Sequence, residues 1–248
     1  MGYNHLFDRT LVPSHELRRN ILANTAIRPE RIHVLYPGID FSAIAARATE
    51  PLPAALLAQL SALPPRRLIH AAMLRGEKGH LTMLDVIARL KDRYPRLGYV
   101  AAGEGGLRSE LLARADALGI ADRVAFPGMV EHLPALLAAG ELVVMPSTYE
   151  PLGMSQIEAL SLGVPVIGSR VGGIPETIRD GVTGLLAGAG DVDDWCAQIA
   201  AALDDPQKMR AMALAGHDDV LQRFSMAQNL AQFIAHIEAI QAQLQLRA

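Results

Sequence analysis

One cysteine, Cys196, stands in 248 residues, so an intramolecular disulfide is excluded and the composition fits a reducing compartment. No apolar run approaches the ~20 residues that a membrane-crossing helix needs. The first twenty residues, with Asp8 and Glu16 among them, do not read as a signal peptide. A net charge of -3 with no basic cluster gives no case for a nucleic-acid partner. The eight histidines show no metal spacing: His15-Glu16 lacks the second histidine of a zinc protease motif, and Ser147 lacks a Gly-x-Ser-x-Gly turn. No internal repeat is visible. The chain reads as a cytoplasmic protein, half of it hydrophobic, with enough apolar residues for a sizeable core.

From about residue 67 short apolar runs alternate with helical patterns. The runs are Leu68–Met73, Leu97–Ala102, Val124–Phe126, Leu142–Met145, Val164–Ile167 and Gly184–Leu186; helical spacing covers about 80–93, 106–118, 132–139, 154–162 and 192–203. Continuous apolar strands between amphipathic helices predict an α/β fold, a doubly wound, Rossmann-like parallel sheet that binds ligands at the carboxyl ends of its strands. Residues 1–45 read as a strand at Thr10–Pro13, a helix capped by Ser14, and a strand at Arg31–Tyr36 stopped by Pro37-Gly38. One strand-helix-strand piece reads as the tail of a larger domain. Residues 46–66, rich in proline and alanine, read as a linker with one short helix, 67–222 as the main domain, and 223–248 as a long C-terminal helix. Met226, Leu230, Phe233, Ile234, Ile237, Ile240 and Leu244 recur at helical spacing there, a stripe expected to bury against something.

The chemistry concentrates at strand ends. Glu150 follows the run Leu142–Met145, and Glu158 lies in the next helical segment. A continuous helix between them would separate the carboxylates by roughly 12 Å, a reach for a ligand with polar ends and a charged centre. Gly153 falls where that helix begins and where free N–H groups can receive a phosphate. Arg75 and Lys78, in the loop after the first strand of the main domain, can neutralise a diphosphate; an ordinary solvated loop is the alternative. Gly103-Glu104-Gly105-Gly106 opens a helix after the second strand, but Arg108 stands where a dinucleotide fingerprint needs glycine, so a bare turn is the alternative. Asp191 and Asp193 read as helix caps before a metal pair. His70 reads as a core histidine, and His80 is a weaker candidate for ligand contact.

In order and spacing, Pro37-Gly38-Ile39-Asp40, Lys78-Gly79, Gly103-Glu104-Gly105, Glu150-Pro151-Leu152-Gly153 with Glu158, and Gly172-Gly173-Ile174-Pro175-Glu176 resemble motifs of the retaining, nucleotide-sugar-dependent glycosyltransferases of family four, the group 1 glycosyltransferases with the GT-B fold. The resemblance implies two Rossmann-like domains across a cleft, the C-terminal one holding a UDP- or GDP-linked donor with no metal and no other cofactor. It implies Glu150 at the hexose hydroxyls, assisted by N–H groups around Leu152, Gly153 and Met154. It places Glu158 at the ribose, Lys78 at the diphosphate, Gly103 and Gly105 in the donor loop, and the base near Met129 and Val130. Many relatives carry arginine where Met73 stands; Arg75 is expected to supply that cation. The implied activity is retaining hexosyl transfer to a glycan or lipid-linked acceptor, in envelope polysaccharide or lipopolysaccharide synthesis, with peripheral placement at the inner face of the membrane. With most of the N-terminal domain absent, the alternatives are a donor-binding module or one subunit of a split transferase. A homodimer or a separate acceptor-domain partner is expected to cover the open surface.

Overall fold

The structure, a computed structural model, describes residues 9–245. It holds two parallel sheets. The smaller pairs β1 (Thr10–Val12) with β2 (Ile32–Val34) across α1 (His15–Asn24). Ser14 caps α1 as its composition predicts, Oγ accepting the Leu17 N–H at 3.0 Å.

The larger sheet contains β3 (Arg66–Ala71), β4 (Leu97–Ala102), β5 (Val124–Gly128), β6 (Leu142–Met145), β7 (Val166–Ser169) and β8 (Leu185–Ala187), all parallel, in the order β5-β4-β3-β6-β7-β8. The chain winds outward from β3 to β5, returns to lay β6 beside β3, and continues to the other edge. The crevice between β3 and β6 is therefore the topological switch point.

Strands β3, β4, β6, β7 and β8 divide their side chains between two cores. Leu68, Tyr99, Leu142, Val144 and Ile167 join Trp195 in one cluster, and Ile69, Val100, Val143, Met145 and Val166 join Phe224 in the other. This alternation explains the continuous apolar runs: both faces are covered. The first cluster includes α4 (His80–Leu90), α5 (Arg108–Ala117) and α9 (Val192–Asp204). The second includes α3 (Ala54–Ser61), α6 (Leu133–Ala138), α7 (Met154–Ser161), α8 (Ile174–Thr177) and the end of α10 (Pro206–Phe224). No helix among the described residues is long and apolar enough to cross a membrane.

Several expectations shift. β7 starts at Val166, two residues late, because Pro165 has no N–H; its carbonyl instead accepts the Val143 N–H at 2.9 Å. The linker is more ordered than its proline content suggested. It carries the end of α2 (Phe41–Ala48), which starts before it and is capped by Asp40, as well as α3; Leu56 and Leu60 enter the second core, as does Ile39 just ahead of α2. The terminal stripe does not bury: on α11 (Met226–Gln245), Met226, Leu230, Phe233, Ile234 and Ile237 are exposed. The side chain of Leu244, like residues 1–8, lies outside the described residues.

Candidate functional site

The loops after β3 and β6 meet over the switch point. Glu77 and Thr148 tie them together, the Thr148 N–H donating to the Glu77 carbonyl at 2.8 Å. This closure brings together the two residues given the principal roles from sequence: Lys78 Nζ lies 2.8 Å from Glu150 Oε2, with the side chains 15% and 12% exposed. A pair this sheltered is screened less than a surface pair, and the three donors of the ammonium leave two for another acceptor. Arg75, from the same loop, is exposed and enters no ion pair among the described residues.

The rod imagined between Glu150 and Glu158 is not continuous. Helix α7 begins only at Met154, and Gly153 sits at φ 93°, outside the helical region. Pro151 and Leu152 form a bend instead, so the separation of roughly 12 Å, which assumed 1.5 Å per residue over all eight steps, does not apply. The first-turn amides of α7, which have no intrahelical acceptor, open beside that bend. Leu152 is buried and Met154 exposed.

Glu158 is half-buried on α7, and burial pushes its carboxyl up from the ordinary value, opposed by the nearby Arg47 guanidinium. Arg47 donates to the Glu131 carbonyl at 2.6 Å, just beyond Met129 and Val130 at the end of β5. Met129 is 80% exposed, an apolar surface open to a planar partner. Arg47 was missed from sequence because it lies in the segment read as a linker; its helical spacing from Ile44 was the available signal.

Gly103 and Gly105 pack their backbones on the first loop. A Cβ at Gly103 would come within 2.1 Å of the Ala72 carbonyl oxygen, and one at Gly105 within 2.4 Å of Leu74 O. The glycine turn thus buttresses the loop that carries Lys78.

His70 and His80 lie beneath the site, ring centroids 4.1 Å apart and stacked. The Tyr99 hydroxyl joins them, 2.7 Å from His70 Nδ1 and 3.1 Å from His80 Nδ1, while His80 Nε2 lies 3.0 Å from the Met73 carbonyl. That carbonyl needs a donor, so neutral His80 carries its proton on Nε2 and accepts the Tyr99 O–H at Nδ1. His70 then donates from Nδ1, leaving its unpartnered Nε2 as a bare acceptor. Burial lowers both imidazoles, His80 to about 4. His80 is 1% exposed with both nitrogens engaged, which corrects its candidacy for ligand contact: it is core structure. Asp191 caps α9 as read, accepting from the Asp193 and Asp194 N–H groups.

A family profile for "Glycosyl transferases group 1" matches residues 58–218. This chain belongs to the group 1 glycosyltransferases. Among curated relatives, a D-inositol 3-phosphate glycosyltransferase of Mycobacterium sp. (strain KMS) is 34% identical over 215 residues, 84% of this chain and 47% of that protein. Its counterpart in Mycolicibacterium paratuberculosis is 35% identical over 206 residues, 80% of this chain and 45% of that protein. The chain spans about half the length of the curated relatives it matches. Among solved structures, Anabaena Alr3699/HepE in complex with UDP and glucose superposes with a TM-score of 0.85 at 24% identity, covering 95% of this chain and 64% of that one. The C-terminal domain of a group 1 family glycosyl transferase (LpcC) from Francisella tularensis matches with a TM-score of 0.65 at 21% identity, over 76% of this chain and 100% of that domain. The six-stranded unit has the architecture of a GT-B C-terminal domain.

Proposed function

We propose that the chain is the donor-binding part of a glycosyltransferase that moves a hexose from a nucleotide diphosphate sugar with retention of configuration. The observation that carries this reading is the Lys78–Glu150 pair at the switch point, 2.8 Å across, beside the open first turn of α7. Lys78 takes the diphosphate through its two remaining donors, with Arg75 swinging in from the exposed side of the loop. Glu150 takes the hexose hydroxyls, the amides of Leu152, Gly153 and Met154 assist, and Glu158 takes the ribose hydroxyls. The base rests against Met129 and Val130. Solved structures of similar fold hold UDP and glucose, which supports a UDP-linked donor.

In the transfer, the bond from the anomeric carbon to the diphosphate oxygen breaks and its electron pair leaves with the diphosphate. The acceptor hydroxyl oxygen bonds to that carbon from the same face, and its proton passes to the departing phosphate. Lys78 and the α7 amides stabilise the growing negative charge without a metal, and Glu150 offsets positive character at carbon. The acceptor is a glycan or a lipid-linked saccharide of an envelope polysaccharide.

A second reading has support at both ends of the described residues: those before β3 form a sheet of only two strands, and α11 leaves its apolar stripe exposed. Both features support a module whose acceptor surface is completed by another polypeptide or a second copy. Calorimetry with UDP and GDP, run beside a UDP-glucose hydrolysis assay, separates the readings. Binding with turnover by the purified chain supports the transferase, and binding without turnover supports the module. Absence of binding to either nucleotide overturns both.

A further inference from the structure

Glu176 joins the N-terminal segment to the loop that carries Glu150. Its carboxylate accepts the backbone N–H groups of His15 at 2.9 Å and Glu16 at 2.7 Å, two amides that begin α1, and the Tyr36 hydroxyl at 2.9 Å. Its own carbonyl accepts Arg223 Nη2 at 2.5 Å, and the Arg223 guanidinium lies 5.6 Å over the Tyr36 ring. One acidic side chain of the six-stranded unit thus caps a helix that belongs to the small sheet, where negative charge is favoured.

Behind Glu176 the contacts continue toward the site. It lies in α8, whose amino end follows Gly172-Gly173. The Gly173 N–H donates to the Glu150 carbonyl at 2.9 Å, and a Cβ at Gly172, where φ is 55°, would come within 2.0 Å of that carbonyl oxygen. On its buried side, Thr177 Oγ1 lies 2.5 Å from Gln156 Nε2, which also donates to the Leu152 carbonyl at 3.0 Å. A shift of α8 therefore moves the backbone on both sides of Pro151.

We propose that Glu176 is a positioning residue that couples the placement of the N-terminal segment to the placement of Glu150, so that the sugar-binding carboxylate is set by the docking of α1 on α8. The sugar role of Glu150 rests on the function proposed above; the coupling does not. Two discrete ties and one intervening helix give it a physical path rather than mere proximity.

Hydrogen exchange of the intact chain tests the coupling without any ligand. In Glu176→Gln, the His15 and Glu16 amides should exchange faster by roughly tenfold, as for loss of a charged acceptor, and the Gly173 amide should accelerate with them. Faster His15 and Glu16 exchange with an unaltered Gly173 amide would reduce Glu176 to a helix cap and overturn the proposal, as would no change at all. If that variant does not fold, Tyr36→Phe, which removes one of the three bonds, serves instead: faster Gly173 exchange supports the coupling and an unaltered rate overturns it. In calorimetry, Glu176→Gln should bind UDP as the unaltered chain does but lose roughly tenfold in affinity for UDP-glucose, a split that simple destabilisation would not produce. Equal affinity changes for the two ligands would overturn positioning of Glu150. Should the unaltered chain bind neither UDP-glucose nor a GDP-linked hexose, the donor role of Glu150 falls, and the exchange result alone decides the coupling.

Discussion

Beside the six-stranded sheet, most of whose strands send alternate side chains into two buried clusters, the β1–β2 pair buries only Val12 and Ile32 from its strands, and α1 buries none of its residues. The first region is ordered by apolar packing that it contains. The second is joined to it by one ring contact, Tyr36 on Phe224, and by several polar ties: Glu176 on the start of α1, the Tyr36 hydroxyl on the same carboxylate, and Asn229 Nδ2 on the Tyr36 carbonyl at 2.6 Å. Packing of the first kind fixes where groups sit. Attachment of the second kind fixes how two bodies stand to each other.

The strongest way to break this contrast is to empty the larger core. Trp195 is fully buried, so Trp195→Ala should cost about 3–5 kcal/mol in urea unfolding; a loss under 1 kcal/mol would deny that the cluster bears the load. At the site, Lys78→Ala should lower UDP-glucose turnover by roughly 10²–10³, as loss of one oxyanion donor does, and an unchanged rate would remove Lys78 from the mechanism.

Acid sharpens the contrast further. Folded His80 stays neutral until about pH 4, whereas the unfolded chain takes up that proton near 6.5. Between those values the unfolded state binds more protons, so stability falls as pH drops through the window, by up to about 3 kcal/mol at its lower end. Urea midpoints at pH 7 and pH 4.5 measure this, and His80→Asn should flatten the slope. The smallest effect belongs to the open surface. Phe233→Ser and Ile237→Ser, on exposed positions of α11, should change stability by no more than about 0.5 kcal/mol. Sedimentation of the same variants should show self-association weakened if a second copy covers the stripe.

Much of the larger unit was legible in sequence because a strand covered on both faces is apolar at every position, as at Leu142–Met145. Edges were less legible, since proline shifts a boundary without altering hydropathy, as Pro165 does at β7. Lys78 and Glu150 could be chosen individually as residues at strand ends, but their pairing depends on β6 lying beside β3, which is a property of winding. The start of α7 after Gly153 was legible, but the path of the chain from Glu150 to Gly153 was not, because helical spacing says nothing of backbone outside it. The period of α11 was plain, yet its exposure was not: periodicity marks an apolar face and is silent on what meets it. The link from Glu176 to α1 spans 160 positions between Glu16 and Glu176, and no local pattern announces it.

The ammonium of Lys78 and the carboxylate of Glu150 offset each other's charge. Free inorganic phosphate therefore meets a weaker field from Lys78 than an unpaired lysine would present. A simple anion can satisfy only the cation and leaves the acid stranded. A ligand that brings hydroxyls for the acid together with an anion for the cation satisfies both at once. With the donor roles proposed above, the pair itself disfavours the simple anion.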